Sequence, residues 1–247
     1  HLANGAGGGN PHNGGGAGGG NFGAGGIGGP GWACSHGSGG RGGQDLGQFV
    51  SSSRIFLGGG GGAGEANNDN AGSGGDGGGI IIIGANSINT SGSGNGVRIS
   101  ANGDNGSNTV STGNDGAGGG GAGGSVMLFA DQFNISSGKA LTVAANGGNG
   151  GTVMYNWGTH GPGGGGGLGS IIFTTAQRSS VTVENTAGIG GAINAKSQPD
   201  ANCVAPGSPN DGVIFAQNNL SALMPIELVY FTADECSEGV CLEWKTA

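Results

Sequence analysis

The stretch GGGGAGGSVMLFA, residues 118–130, sets a run almost without side chains directly against a solid apolar one. The same junction occurs in GGDGGGIIIIGA (74–85) and in GGGGGLGSIIFTTA (163–176). The apolar runs open at Ile80, Ser125 and Ser170, a spacing of 45 residues twice over. Short apolar runs rich in β-branched residues and bounded by Gly, Asn and Ser read as buried strands between turns. A second strand and an Asn/Gly-rich stretch follow each: GVRISANGDNG (96–106), KALTVAANGGNGG (139–151) and SVTVENTAGIGG (180–191). Each unit is thus a glycine run, a strand, a turn, a strand and a variable loop. A repeat of this length marks a unit that cannot bury its apolar face alone, so that stacked units share one narrow core.

The fold class expected is all-β: a glycine-rich, repetitive β-solenoid or sandwich-like scaffold without significant helix. No window carries an apolar i, i+3, i+4, i+7 stripe, and glycine costs about 1 kcal/mol per helical position relative to alanine. Alternation in ALTVAA sends Leu141 and Val143 one way and Thr142 the other. IIIIGA does not alternate, which predicts cover on both faces. The glycine runs have two readings, flexible loops or extended three-residue-per-turn helices of the polyproline II type (polyglycine II) that pack backbone to backbone. Three regions are expected: a glycine-rich N-terminal arm (1–52), of which 1–33 is able to dock on a neighbouring subunit, the β-repeat body (53–220), and the start of a separate β module (221–247). SRIFLGGGGGAG (53–64) reads as a degenerate earlier copy of the unit.

Glycine makes up 67 of 247 residues, against roughly 7% in an average protein. Collagen is excluded, because it needs glycine at every third position with abundant proline, and this chain has GGGGG at 58–62 and 7 prolines. The apolar runs argue for an ordered fold over disorder. With 7 Lys and Arg against 15 Asp and Glu, a net charge of −8 and no basic cluster, nucleic acid and anionic membrane surfaces are poor partners. No apolar stretch approaches the roughly 20 residues of a membrane-spanning helix. The chain opens at His1 without a methionine, which reads as a processed product or a fragment.

The four cysteines, Cys34, Cys203, Cys236 and Cys241, are compatible with two disulfides. In that case Cys236 and Cys241 staple a hairpin around SEGV, while Cys34 and Cys203 close a long loop; free buried thiols are the competing reading. From Ser221 the glycine content becomes ordinary. PIELVYFTA (225–233) followed by VCLEWKTA (240–247) resembles the opening strands of the immunoglobulin-like C-terminal module of type IX-secreted Bacteroidota proteins. Pro225, Glu227, Leu228, Phe231, Ala233, Val240, Leu242, Trp244, Thr246 and Ala247 carry the likeness. NDGAGGGGAGGSVML (114–128) and HGPGGGGG (160–167) resemble the glycine-rich repeat regions of surface proteins of the same bacteria. The resemblance implies a secreted, extracellular or cell-surface location and a role in adhesion, gliding or matrix, and it carries no catalytic residues.

Chemistry is sparse. His1, His12, His36 and His160 all lie in glycine-rich sequence, no GxSxG elbow is present, and the GxGxxG-like strings lack a strand–loop–helix context, so no enzyme is expected. Calcium is the ligand that EANNDNAGSGGDGGG (65–79) suits best, with Glu65, Asp69 and Asp76 as hard oxygen donors; Asn and Asp in such strings equally favour turns. In MYNWGTHGPG (154–163), Tyr155 and Trp157 either stack on sugars or cover a narrow core. The leading expectation is a self-associating structural subunit of an extracellular filament or surface layer. A monomeric adhesin binding glycans through its Asn/Gly-rich loops is the alternative. Ice binding ranks below both, since Thr109, Thr112, Thr142, Thr152, Thr159 and Thr174 are irregularly spaced.

Overall fold

A computed structural model of the chain describes residues 4–34, 37–68, 70–110, 115–154, 160–173, 180–193, 214–216, 228–236 and 239–246. It is nearly all β, and among the described residues only two three-residue 3-10 turns, Trp32–Cys34 and Gly47–Phe49, are helical. Among the described residues no helix is long and apolar enough to cross a membrane.

Strands β1 (Ile80–Asn89), β3 (Ser125–Asn134), β5 (Ser170–Phe173) and β7 (Ile214–Ala216) form a parallel sheet in that order. Strands β2 (Val97–Ser100), β4 (Leu141–Ala144) and β6 (Val181–Glu184) form a second. Ile80 faces Ser125, which faces Ser170, so the 45-residue spacing of the sequence is the register of the first sheet. In the second sheet Val97 faces Leu141 and Leu141 faces Val181. Strands β8 (Leu228–Cys236) and β9 (Gly239–Thr246) pair separately as an antiparallel hairpin.

The core lies between the two parallel sheets. Val126, Leu128, Ile171 and Phe173 meet Leu141 and Val143, all at most 1% exposed. Phe133 stands edge-on to Phe173 at 5.8 Å. Burying each such side chain is worth about 1.5–3 kcal/mol. The outer face of the first sheet is covered as well. Met127, Phe129 and Ile172 pack under Phe22, Val50, Ile55 and Phe56. That cover reaches β3 and β5 but not the edge strand. Ile81 and Ile83 join the core, whereas Ile80 and Ile82 remain 41% and 54% exposed. The two-faced burial expected of IIIIGA therefore belongs to SVMLFA.

The glycine runs are extended segments bonded laterally to one another. The central one spans 13–20. Gly15 and Gly18 donate to Gly29 and Gly26, Gly16 and Gly19 to Ala117 and Gly120, and Ala17 and Gly20 to Gly7 and Asn4, all at 2.7–3.1 Å. The carbonyls of Gly15 and Gly18 accept from Gly40 and Gly43, those of Gly16 and Gly19 from Gly164 and Gly167, and those of Ala17 and Gly20 from Gly62 and Gly59. Successive residues thus address three directions as donors and three as acceptors, and one segment binds six neighbours. Segment 116–124 is a second hub, donating in turn to 58–65, 101–110 and 161–169 and accepting from 13–20, 71–79 and 145–153.

The pairings arrange eleven such segments in four layers: 4–9 with 39–45; 23–29, 13–20 and 58–65; 71–79, 116–124 and 161–169; and 101–110, 145–153 and 185–193. The third layer runs on into β1, β3 and β5, and the fourth continues from β2, β4 and β6. Residues 13–21 are at the centre of this bundle, and all of them are buried. Segments 4–9, 13–20, 23–29 and 39–45 of the N-terminal region read as an arm are thus hydrogen-bonded into the body.

Each lateral hydrogen bond nets about 1 kcal/mol, while ordering a residue's backbone costs about 1–2 kcal/mol. The bundle therefore depends on the sheets, whose apolar core anchors one end of every repeat. It also depends on close approach. A Cβ on Gly119 would overlap the Ala17 carbonyl, whereas one on the exposed Gly79 meets nothing within 4 Å. Gly119→Val is expected to destabilise the chain by about 3 kcal/mol, and Gly79→Ala to change it by less than about 0.5 kcal/mol. Denaturant melts of the two variants check this.

Candidate functional site

Two polar constellations stand out, and both hold backbone. The first closes the end of the bundle away from the sheets. Asp115 is fully buried. Its Oδ2 accepts from the backbone N–H of Asn70 at 2.7 Å and of Asn68 at 3.2 Å, and its Oδ1 from those of Asn67 and Asn68 at 3.1 and 3.2 Å. Asn67, Asn68 and Asn70 thus turn their amides toward one carboxylate. That is the reverse of a calcium loop, which turns oxygens inward. Glu65 is engaged elsewhere, its Oε2 accepting from the Asn13 N–H. The carboxamide of Asn67 meets Nε2 of His12 at 3.0 Å, and His12 lies 6.1 Å from Trp32, ring centre to ring centre. His160, 3% exposed, lies nearby. Burial holds its pKa below the usual histidine value, against the pull of Asp115 and with the help of His12.

The second constellation is a ladder on the outer layer. Asn102, Asn105 and Asn108 accept, through Oδ1, the backbone N–H groups of Asn146, Asn149 and Thr152 at 2.7–2.8 Å. Asn146 and Asn149 pass the pattern on to Thr186 and Ile189 at 2.8 and 3.0 Å, and the Thr152 hydroxyl accepts from Ala192 at 3.3 Å. Between these rungs run ordinary backbone bonds, such as Gly106 to the Asn149 carbonyl and Gly150 to that of Ile189. In this layer every third N–H has no carbonyl opposite it, and a side-chain oxygen at every third residue takes its place. The ladder borders an open groove of about 430 Å³ over Asn105, Asn108, Asn149, Thr152, Ile189 and Ala192. At the sheet end, Arg98 pairs with Glu184 at 2.6 Å, both side chains 43% exposed.

The residues singled out from the sequence are not brought together. Glu65 and Asp76 lie on antiparallel neighbours, where Gly64 bonds Gly72 and Gly61 bonds Gly75. That offset separates them by about five residues along the axis, roughly 15 Å at 3.1 Å per residue. Asp69, Tyr155, Trp157 and Cys203 lie outside the described residues, as do the side chains of Cys34, Cys236 and Cys241. On the backbone, Cys241 faces Asp234 and Cys236 faces Gly239. Among the described residues no three His, Cys, Asp or Glu gather as a metal cluster. Sequence reasoning singled out neither Asp115 nor the ladder; for the ladder the signal was the i, i+3, i+6 spacing of Asn102, Asn105 and Asn108, repeated at Asn146, Asn149 and Thr152.

No family model, curated protein or solved structure matches this chain.

Asp115→Ala strips the acceptor from three buried-facing amides and is expected to cost about 3 kcal/mol in a denaturant melt. A second test concerns pH. With the folded pKa of His160 lowered, the unfolded chain binds a proton near pH 6.5 before the folded chain does. This contribution to stability is full above about pH 6.5 and is lost as the pH falls below it. Melting temperatures between pH 7 and 5 are expected to fall, and His160→Gln to remove part of that slope.

Proposed function

We propose that this chain is a non-catalytic structural module of an extracellular filament or surface layer, a β-solenoid backed by polyglycine II helices that extends by stacking further copies on its β1–β2 edge. The carrying observation is the state of that edge. Strand β1 has ten residues and, among the described residues, pairs on one side only, with β3. Beside its unpaired backbone stand Ile80, Ile82 and, on β2, Val97, 41%, 54% and 40% exposed. An edge of this length with apolar side chains templates further pairing unless it is blocked. Each repeat within the chain already uses that geometry, parallel and in register at 45 residues.

Among the described residues the opposite side of the sheet ends in β7 rather than in a copy of β1. Joining one side to the other is a head-to-tail contact, and such contacts extend into open assemblies when the rotation does not close. The polar side chains support the same reading, since Asp115, Glu65, Asn21 and the ladder asparagines all bind main chain. Asn21, fully buried, donates to the Gly123 and Gly124 carbonyls at 2.8 and 3.0 Å where bundle meets sheet. The likeness of residues 225–247 to the immunoglobulin-like module of type IX-secreted proteins supports an extracellular location.

The test is assembly. Light scattering and electron microscopy of the intact chain are expected to show elongated particles that grow with concentration. Ile82→Lys places a charge on the edge, and is expected to leave monomers whose stability is within about 0.5 kcal/mol of the parent. A parent that stays monomeric at high concentration, or an Ile82→Lys chain that assembles like it, contradicts the reading.

A further inference from the structure

The outer layer carries a binding surface that the stacking edge does not explain. Its segments 101–110, 145–153 and 185–193 run parallel and in register, so their side chains repeat about every 9 Å along each segment and about every 5 Å from one segment to the next. The ladder fixes the orientation of the carboxamides. Oδ1 of Asn102, Asn105, Asn108 and Asn149 is taken by the neighbouring backbone. Their Nδ2 groups make no hydrogen bond among the described residues, and all four side chains are exposed. What the face offers outward is therefore rows of fixed N–H donors. Asn146, at the sheet end, differs in that it also turns to Glu184.

We infer that this face binds a neutral, linear polysaccharide lying in the groove across Asn105, Asn108, Asn149 and Ile189. Four features lead to that ligand class. Outward amide donors call for oxygen acceptors, which the hydroxyl, ring and glycosidic oxygens of a sugar chain supply at a regular repeat. Ile189, 68% exposed at the groove, gives the C–H face of a sugar an apolar surface to lie on. The partner is neutral: the ladder's cation, Arg98, is paired with Glu184, and the chain carries a net charge of −8, which repels polyanions. The face is also poorly complementary to itself, because two copies would oppose rows of donors to rows of donors, with each carboxamide oxygen already engaged by a backbone N–H. The orientation is held by backbone and ladder bonds, so little side-chain order is lost on binding. Contacts weak at one sugar add up along a polymer. A monomeric chain carries the whole surface, so this inference is independent of edge stacking.

The test is co-sedimentation of the full chain with suspended cellulose and chitin, with soluble alginate as the polyanionic comparison. Asn105→Asp combined with Asn149→Asp keeps an oxygen acceptor for the ladder while replacing the outward donor. Ile189→Ser changes a side chain that forms no rung. The expected result is retention of the parent on at least one neutral polysaccharide and none on alginate. The Asp pair is expected to weaken retention tenfold or more with its circular dichroism and melting temperature preserved, and Ile189→Ser to weaken it severalfold. The inference is overturned if the parent is retained on neither solid. It is equally overturned if folded Asp-pair and Ile189→Ser chains are both retained like the parent, or if the face depresses the freezing point of water while ignoring both polysaccharides.

Discussion

The lateral hydrogen bond between main chains that have no side chains to separate them is the contact on which everything else rests. A β-strand spends its amides on two neighbours. The segment 13–20 spreads the same groups over six, because successive residues turn by a third of a revolution. Such density is available only where Cβ atoms are absent, as the overlap of a Gly119 side chain with the Ala17 carbonyl illustrates. The glycine content that would ordinarily signal disorder is here the condition for packing. Its entropic cost is offset by the apolar core, which explains why the glycine runs 116–124 and 161–169 lead directly into buried strands.

Polar chemistry follows from that arrangement. A bundle of extended segments leaves unmatched amides at its ends and on its outer layer, and buried donors are expensive to leave unpaired. Asp115 gathers three of them at the loop end, Glu65 takes another, and the ladder asparagines take those of the outer layer. The same side chains that complete the backbone therefore set what the surface presents. Oxygens are consumed internally and nitrogens remain.

The sheets were legible because apolar runs carry positional information. The 45-residue interval between Ile80, Ser125 and Ser170 is the pairing register itself, and the alternation of Leu141, Thr142 and Val143 appears as buried, half-buried, buried. The bundle was not legible to the same degree. A glycine run has no face, so nothing in GGGAGGG (14–20) distinguishes an outlying arm from the hub. Its partners are chosen by where the strands place the other runs. The exposure of Ile80 and Ile82 escaped for a related reason: the cover comes from Phe22, Val50, Ile55 and Phe56, outside the strands of the sheet, and it packs on β3 and β5 rather than on β1. The asparagine spacing acquires meaning only once a three-residue period and a register between repeats are in hand. Glu65, Asp69 and Asp76 suggested a cation site by residue type, but the backbone amides of Asn67, Asn68 and Asn70, groups that almost every residue has, are what turns toward Asp115.

Hydrogen exchange resolved to single amides tests the central claim most directly. If lateral bonding holds the bundle, the amides of Gly15–Gly20 and Gly116–Gly124 exchange only with global unfolding, as slowly as those of Val126–Phe129 in the core strand. Exchange of these glycine amides many orders of magnitude faster than the β3 amides would contradict the account, because the glycine runs would then be loops attached to a small β-core.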